Sequence, residues 1–256
     1  MGVSSGGKLK RLMDAWTPGT VATSVWLGRM GITPQHVQGY VANGWLEPVA
    51  SGVFKRPRET LSWQGALHSL QTQRDLHVHL GAVTALGSDG SIQYTRLGRE
   101  TVFLVSKTGV ALPAWFKAHD WGVDLRHVQT TFLPPDLGIR DVVMDGFALQ
   151  SSTPERAILE TLHLTPKAVD LVEAYELLEG LRTLRPSQMQ SLLEACVSIK
   201  VKRVFLFMAA KASLPVLSHL RTDRLDLGTG ARALAKGGVY VAEHRLVLPR
   251  ELVHHG

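Results

Sequence analysis

The chain has 256 residues, of which 45% are hydrophobic and 20% are charged. These proportions are close to those of soluble globular proteins, and they exclude a fibre, a collagen-like repeat or a wholly disordered chain. The net charge of +6 is concentrated at the N-terminus, because residues 1–75 contain eight Lys or Arg and four Asp or Glu. Such an excess is typical of a nucleic-acid-binding segment, and it also arises by chance in ordinary proteins.

Cysteine content and hydropathy indicate the compartment. The single cysteine, Cys196, cannot form an internal disulfide or a cysteine-based zinc site by itself, which fits a reducing environment. The longest apolar run, residues 204–210, has seven residues. A helix needs roughly 20 apolar residues to cross a bilayer. We therefore expect a cytoplasmic protein that does not contact a membrane.

Two helices are predicted before residue 34. Apolar residues at helical spacing indicate a short first helix, and they are Leu9, Leu12 and Met13. This helix ends before the Thr-Pro-Gly turn at 17–19. The second helix is predicted over residues 20–33, and Gly31 ends it because glycine adopts the positive φ that other residues resist.

A third helix is predicted to begin at Pro34. Thr33 can cap this helix, and proline suits the first helical position because its missing N–H would have no helical partner. Apolar residues follow on one face, and Asn43-Gly44 ends the helix. The opposite face then presents side chains that form hydrogen bonds, namely Gln35, His36, Gln38 and Asn43.

Two short strands around a Ser-Gly turn are predicted after this helix, at 45–50 and 53–56. The order of helix, helix, turn, helix and hairpin is that of a winged helix-turn-helix, whose second motif helix lies in the major groove. We therefore predict DNA binding by the start and outer face of the third helix and by the basic wing. The predicted DNA-binding residues are Thr33, Gln35, His36, Gln38, Asn43, Lys55, Arg56 and Arg58. The alternative is a winged helix used for protein contacts or as an inert module.

The rest of the chain predicts a larger mixed domain. Helices are expected at 61–73, after a capping box at 152–155, from 165 to 181, from 186 to 196, and over 201–212. Strands are expected at 101–106 and 147–150, with a hairpin over 239–249. The predicted fold class is therefore α+β, with a winged helix-turn-helix DNA-binding domain at 1–60 and a mixed α/β domain at 61–256.

Patterns typical of enzymes are weak. None of the 22 acidic residues has a lysine two positions later, as a D/E-x-K nuclease requires. No aspartate has another aspartate two positions later, which is the spacing that holds metal ions in nucleotidyltransferases. Residues 228–233 match the G-x-G-x-x-A form of a dinucleotide loop, but they lack the surrounding βαβ unit. We therefore predict a helix cap or a turn there, no cofactor and no catalytic residues.

Two further clusters allow a second interpretation. His77 and His79 share one face of an extended segment, and His68 is the near candidate for a third ligand, so hydrogen-bonded histidines are favoured over a metal site. A basic cluster near residue 200 suits an acidic partner or a phosphate, although a solvated helix face is favoured. This cluster comprises Lys200, Lys202 and Arg203.

Two blocks of the sequence carry a resemblance to a known family. The first is Gly31-Ile32-Thr33 through Asn43-Gly44-Trp45-Leu46-Glu47-Pro48-Val49 and Ser51-Gly52-Val53-Phe54, which resembles the N-terminal domain of AbiEi-type antitoxins. The second is similar to their C-terminal antitoxin domain and comprises residues 199–206, 225–230 and 236–238. One position departs from the pattern, since Gly39 stands where such recognition helices often carry a basic residue.

The resemblance implies a type IV toxin–antitoxin regulator that represses its own operon. Its N-terminal domain would bind inverted repeats in double-stranded promoter DNA, as a monomer that pairs on DNA. Its C-terminal domain would neutralise a toxin similar to nucleotidyltransferases. Two alternatives stay open, a ligand-sensing winged-helix repressor without a toxin partner and an enzyme with a winged-helix targeting module.

Overall fold

A computed structural model describes residues 5–87 and 99–254 of the chain. The described residues form two compact units. The first contains those of residues 1–78 together with 110–123 and 142–149, and the second contains those of 79–109, 124–141 and 150–256. Two middle segments thus belong to the first unit, and the domain boundary predicted at residue 60 stays a prediction.

Helices and strands are distributed along the whole described chain. The α-helices are α1 (Ser5–Ala15), α2 (Ser24–Arg29), α3 (Pro34–Ala42), α4 (Trp63–Gln73), α5 (Ala82–Gly87), α6 (Ala114–Ala118), α7 (Pro154–Leu164), α8 (Leu171–Glu179), α9 (Pro186–Ala195), α10 (Ile199–Lys211) and α11 (Arg250–His254). Short 3-10 helices follow α10 at Pro215–His219 and Thr222–Arg224. The strands are β1 (Ala22–Thr23), β2 (Glu47–Ala50), β3 (Val53–Lys55), β4 (Val78–Leu80), β5 (Thr101–Ser106), β6 (Asp124–Gln129), β7 (Ile139–Met144), β8 (Phe147–Ser152), β9 (Arg232–Ala233), β10 (Val239–Val241) and β11 (Leu246–Leu248).

The first unit begins with the order α1, β1, α2, α3, β2, β3 and a sheet in the strand order β1-β3-β2. Both strand pairs are antiparallel, and the structure contains the two helices, the turn between them and the hairpin that the sequence predicted. The helix predicted over 20–33 is wrong at its start, because residues 22–23 form β1. Thr23 caps α2 by accepting a hydrogen bond from the Trp26 N–H, and a cap needs the extended backbone that Thr23 has.

A small core holds these elements together. It contains the buried residues Leu12, Trp16, Ala22, Leu27, Ile32, Tyr40 and Leu46. Gly31 makes the turn between α2 and α3 at φ 75°, in the left-handed region that favours glycine. The backbone N–H of Ile32 then donates to the Leu27 carbonyl over 2.9 Å, which fixes the angle at which α3 leaves the turn.

Helix α4 continues the first unit, and its side chains form hydrogen bonds with the backbone of β1 and of the residue before it. The Ser69 hydroxyl accepts from the Val21 N–H over 3.1 Å and donates to the Val21 carbonyl over 3.0 Å. The Gln73 amide accepts from the Thr23 N–H over 2.9 Å. All six tryptophans of the chain lie in this unit, and they are Trp16, Trp26, Trp45, Trp63, Trp115 and Trp121.

A five-stranded sheet has the order β6-β5-β4-β8-β7, and α7 to α10 provide most of the larger core. Strands β5 and β6 are parallel, with Thr101 opposite Asp124 and Ser106 opposite Gln129. A three-stranded sheet near the end of the chain has the order β10-β11-β9. The predicted strands at 101–106 and 147–150, the buried helix near 201–212 and the final hairpin are confirmed.

Two local predictions in this part of the chain are wrong. Helix α8 begins after Asp170 instead of at 165, because the Asp170 carboxylate accepts from the Val172 and Glu173 N–H groups and caps the helix there. The capping box at 152–155 does not form. Thr153 precedes α7 without a side-chain cap bond, and the Glu155 carboxylate accepts from Arg185 instead.

Candidate nucleic-acid interface

The start of α3 is held by two of the residues that the sequence predicts to bind DNA. The Thr33 N–H donates to Nδ1 of His36 over 3.2 Å, and the His36 N–H donates to the Thr33 hydroxyl over 3.4 Å. The Thr33 hydroxyl also lies 2.7 Å from His36 Nδ1. Thr33 and His36 therefore satisfy each other's backbone and fix the first turn of the helix.

The end of α3 is fixed by Asn43, a third residue that the sequence predicts to bind DNA. Asn43 caps the helix, and its side-chain Nδ2 donates to the Gly39 carbonyl over 2.7 Å. One donor of this exposed amide is therefore used within the helix, while its oxygen points to no partner among the described residues.

The middle of α3 presents the two remaining amides. Gln35 and Gln38 are exposed, and neither side chain forms a hydrogen bond with any residue that the structure describes. The apolar side of the same helix packs inward, where Tyr40 is buried and Val37 and Val41 pack against the core. Two amides with unused donors and acceptors thus face outward from a helix fixed at both ends.

On the wing, Lys55 is half-buried and bound within the domain. Its Nζ lies 3.0 Å from the Glu47 carboxylate of the paired strand and donates to the Glu59 carbonyl over 3.0 Å. These contacts join β2, β3 and the segment that leaves the hairpin.

Arg56 is bound even more firmly. Its guanidinium lies over the Trp16 ring, 5.5 Å from the centroid, and donates to the carbonyls of Met13 and Trp16 at the end of α1. Arg58, by contrast, is exposed and adopts a φ of 65°. Of the three predicted wing cations, Arg58 alone has no ion pair or hydrogen bond among the described residues.

Sequence reasoning named the wing and passed over two other features of this unit. Trp45 lies directly after α3 and is 52% exposed, which is unusual for so large an apolar side chain. Lys10 and Arg11 are exposed on α1. The Asn-Gly-Trp sequence and the charge excess before residue 12 are the signals that would have indicated them.

The basic cluster of α10 does not form a solvated face. Lys202 and Arg203 are buried, so that prediction is wrong. The Arg203 guanidinium donates to the carbonyls of Leu227 and Gly230 over 2.6 Å each and of Gly228 over 2.9 Å. The five N–H groups of an arginine suit such a ring of carbonyls, so Arg203 shapes the 227–230 loop.

Lys200 lies half-buried at the end of α7. Its Nζ donates to the carbonyls of His163 and Thr165 over 2.7 Å each, which satisfies two of the unpaired carbonyls of the helix end. Burial and the neighbouring Lys167 lower the pKa of Lys200 to about 8. Lys200 and Arg203 therefore bond within the fold, and Lys202 is buried.

The three histidines considered for a metal lie in different surroundings. His68 bonds to the Ala148 carbonyl over 2.9 Å, His77 is exposed, and His79 is buried. Nε2 of His79 lies 3.0 Å from the Glu160 carboxylate. Within residues 5–87 and 99–254, no group of three His, Cys, Asp or Glu is arranged to hold a metal ion.

Glu160 is the centre of a buried polar cluster. Its carboxylate accepts from Arg156 over 2.7 Å, from the Ser152 hydroxyl over 2.8 Å and from the Ala82 N–H over 3.0 Å, in addition to the His79 contact. Burial by itself would raise the pKa of Glu160, but His79 and Arg156 outweigh burial and lower the pKa to about 2. Every oxygen of this carboxylate has partners, which is the pattern of a structural cluster.

The G-x-G-x-x-A stretch has the geometry of a loop and a strand. The carbonyls of Gly228 and Gly230 face Arg203, and β9 follows where a phosphate-binding loop would need a helix. A loop and a strand thus stand where a helix cap or a turn was predicted.

Two family models match the chain. One describes a transcriptional regulator, the AbiEi antitoxin N-terminal domain, and covers residues 5–97. The other describes a transcriptional regulator, AbiEi antitoxin, of a type IV toxin–antitoxin system, and covers residues 99–249. The chain belongs to the AbiEi antitoxin family. Membership makes it a transcriptional regulator and antitoxin, with DNA and a toxin as the implied partners, and it places the chain in a family that is not a class of enzymes.

A solved structure has a similar fold. The crystal structure of the RV2827C protein from Mycobacterium tuberculosis matches with a TM-score of 0.61, over 99% of this chain and 94% of that chain. The two sequences are 14% identical, so the likeness shows the fold alone. Comparison with curated proteins gives no significant match. In the described part of this AbiEi chain, no helix has the length and apolar character to cross a bilayer.

Proposed function

We propose that this chain represses its own operon by binding inverted repeats in the promoter with the winged helix, while its C-terminal domain neutralises a nucleotidyltransferase-like toxin. In this proposal α3 lies in the major groove. The observation that carries the DNA-binding half is the pair Gln35 and Gln38, which are exposed and without a hydrogen-bond partner among the described residues. Side-chain amides form paired hydrogen bonds with adenine, so this face suits base edges.

The predicted DNA residues divide into two groups by their contacts. Gln35, Gln38 and Arg58 are exposed and unpaired in the described structure, so they contact bases and a phosphate directly. The others already bond within the domain, and their role is to hold α3 and the wing in the orientation that DNA requires. This second group comprises Thr33, His36, Asn43, Lys55 and Arg56.

Two copies of a monomer pair on the operator in this proposal. An inverted repeat presents the same base sequence twice, and two recognition helices read it when they lie about one turn of DNA, roughly 34–36 Å, apart. A monomer in solution and a two-to-one complex on the full repeat are therefore expected from light scattering.

The antitoxin half rests on the second family block. Residues 227–230 of that block owe their loop shape to a buried side chain, Arg203, which donates to three of their carbonyls. A loop fixed in this way presents a constant surface, as recognition of a folded toxin requires.

Full-length variants test whether the two activities separate. The double variant Gln35→Ala, Gln38→Ala should lose repression of a promoter reporter and retain protection of growth when the product of the adjacent gene, the toxin in this proposal, is co-expressed. Wild type supplies the control in both assays, and equal protein levels are checked by blotting.

The outcomes separate the alternatives. A double variant that represses like wild type removes α3 from the DNA contact. A wild-type chain that represses and gives no protection against the neighbouring protein contradicts the antitoxin half and favours a ligand-sensing repressor.

A further inference from the structure

Gly39 lies in the interior of α3, and nothing in the described fold requires a glycine there. Its φ is outside the left-handed region, unlike the φ of Gly31 in the preceding turn. A Cβ built on Gly39 meets no described atom within 4 Å. At Gly65 in α4, in contrast, a Cβ would collide with the Gly19 backbone.

A glycine at such a position weakens the helix. Glycine loses more backbone freedom on folding than alanine does, so alanine is the more stable residue in a helix interior. The fold therefore carries a destabilising residue at position 39 without an internal packing reason. A residue that breaks a local rule without structural compensation is expected at functional sites.

The surroundings of Gly39 indicate what that function is. Gln35, Gly39 and Asn43 are spaced by four residues and share one face of α3. Gln38 is adjacent to Gly39, and Asn43 draws its own amide onto the Gly39 carbonyl. The two exposed glutamines thus lie next to a half-buried helix position that carries no side chain.

An α-helix fits the major groove so closely that the absence of a Cβ methyl group at position 39 matters. An α-helix with its side chains is about 10–12 Å across. The major groove of B-DNA is about 12 Å wide and 8.5 Å deep. In the proposed complex a Cβ on Gly39 would extend roughly 1.5 Å from the helix backbone toward the DNA, which would hold this part of α3 further from the base edges.

We propose that Gly39 sets the depth of α3 in the major groove and thereby brings Gln35 and Gln38 within reach of the bases. This inference rests on the proposed function, because it assumes that α3 contacts DNA. It makes Gly39 a positioning residue whose replacement improves the fold and impairs recognition.

The test compares two alanine variants of the full chain, Gly39→Ala and Gly28→Ala. Gly28 is the matched control, since it is an exposed glycine in α2 with an ordinary φ, and a Cβ added to it would meet no described atom within 4 Å. Melting temperature is measured by circular dichroism. Affinities for an operator duplex and a scrambled duplex are measured by fluorescence anisotropy at one salt concentration.

We expect both variants to melt about 1–4 °C above wild type, through the helix propensity of alanine. Gly39→Ala should bind the operator at least roughly tenfold more weakly, the size of one lost paired base contact, with little change on scrambled DNA. Gly28→Ala should bind both duplexes like wild type. Gly39→Lys should also weaken operator binding, in spite of its added charge.

Three results would overturn the inference while leaving the proposed function intact. In the first, Gly39→Ala binds the operator as tightly as wild type. In the second, Gly39→Ala and Gly28→Ala lose operator affinity equally. In the third, Gly39→Lys binds the operator more tightly than wild type. The proposed function itself fails if wild type does not prefer the operator or if Gln35→Ala and Gln38→Ala leave that preference unchanged, and the inference then fails with it.

Discussion

The wing and the start of α10 each carry three basic residues, and the fold uses these two sets differently. On the wing, Arg58 is exposed, while Lys55 and Arg56 are half-buried and bound to groups of the same small domain. In α10, Lys202 and Arg203 are buried, and Arg203 bonds to carbonyls 24 to 27 residues further along the chain. Similar basic clusters in a sequence therefore correspond to a partly exposed set of side chains in one place and to an internal support in the other.

Basic residues therefore indicate a binding surface only when those that bond within the fold are left out. The carbonyls around Arg203 come from a loop that ordinary spacing rules do not relate to α10. When the predicted DNA-binding residues of α3 that bond within the domain are left out, Gln35 and Gln38 remain, and neither carries a charge. The strongest candidates for sequence recognition are therefore neutral residues.

The largest expected effect is on Arg203. Arg203→Met leaves the carbonyls of Leu227, Gly228 and Gly230 without their donor, so we expect the free energy of unfolding to fall by roughly 3–5 kcal/mol. Urea denaturation followed by circular dichroism measures this loss. Arg58→Met is the matched control and should change stability by about 0.5 kcal/mol or less. Similar losses in both variants would remove the contrast between wing and α10.

Next in size is a dependence of stability on acidity that originates at Glu160. Its pKa of about 2 in the folded protein lies below the ordinary carboxyl value of 4.5, so its contribution is present above pH 4.5 and is lost as the pH falls toward 2. We expect this one carboxylate to account for roughly 3 kcal/mol over that window. Urea titrations at several pH values measure it. The variant Glu160→Gln cannot ionise, and a pH profile as steep as that of wild type would contradict this origin.

A smaller effect is expected at the recognition helix. Gln35→Ala or Gln38→Ala should reduce the preference for operator over random DNA by about 1–3 kcal/mol for each side chain that makes a paired base contact. Binding to random DNA should barely change, because it depends on charge. Competition binding with the two DNAs provides the measurement, and an equal loss on both would place the helix elsewhere.

The smallest expected effect is on the salt dependence of DNA binding, and it distinguishes Arg58 from Arg56. Arg58→Ala should flatten the plot of log K against log salt by about 1, because one phosphate contact is lost, without a change in melting temperature. Arg56→Ala should lower the melting temperature, because the Trp16 and Met13 contacts disappear. An unchanged slope for Arg58→Ala would show that this residue does not touch DNA.

Local signals explain how much of the fold the sequence predicted. Thr33-Pro34 and Asn43-Gly44 are strong helix boundaries, and α3 lies between them as expected. Strand β1 was missed because it has two residues and pairs with Val53 and Phe54, about thirty residues away. Pattern rules need longer alternation than two residues provide.

The site was less predictable than the fold. Residue types on α3 indicated the outward face, since amphipathic spacing determines which side is buried. The internal bonds of Lys55 and Arg56 depend on contacts with Glu47, Glu59 and the end of α1, which form only in the folded unit. Sequence spacing predicts where a cation lies on the wing and leaves its bonding partner undetermined.

The position of the tryptophans gives the protein a natural optical label. Because all six lie in the first unit, intrinsic emission excited at the indole absorption band reports on that unit alone. Trp45 is half-exposed and follows α3 closely in the chain, so we expect its emission to change if the proposed duplex binds α3. Binding of the proposed operator can therefore be tested without a dye, and a denaturation curve recorded by emission describes the first unit separately from the helical signal of the whole chain.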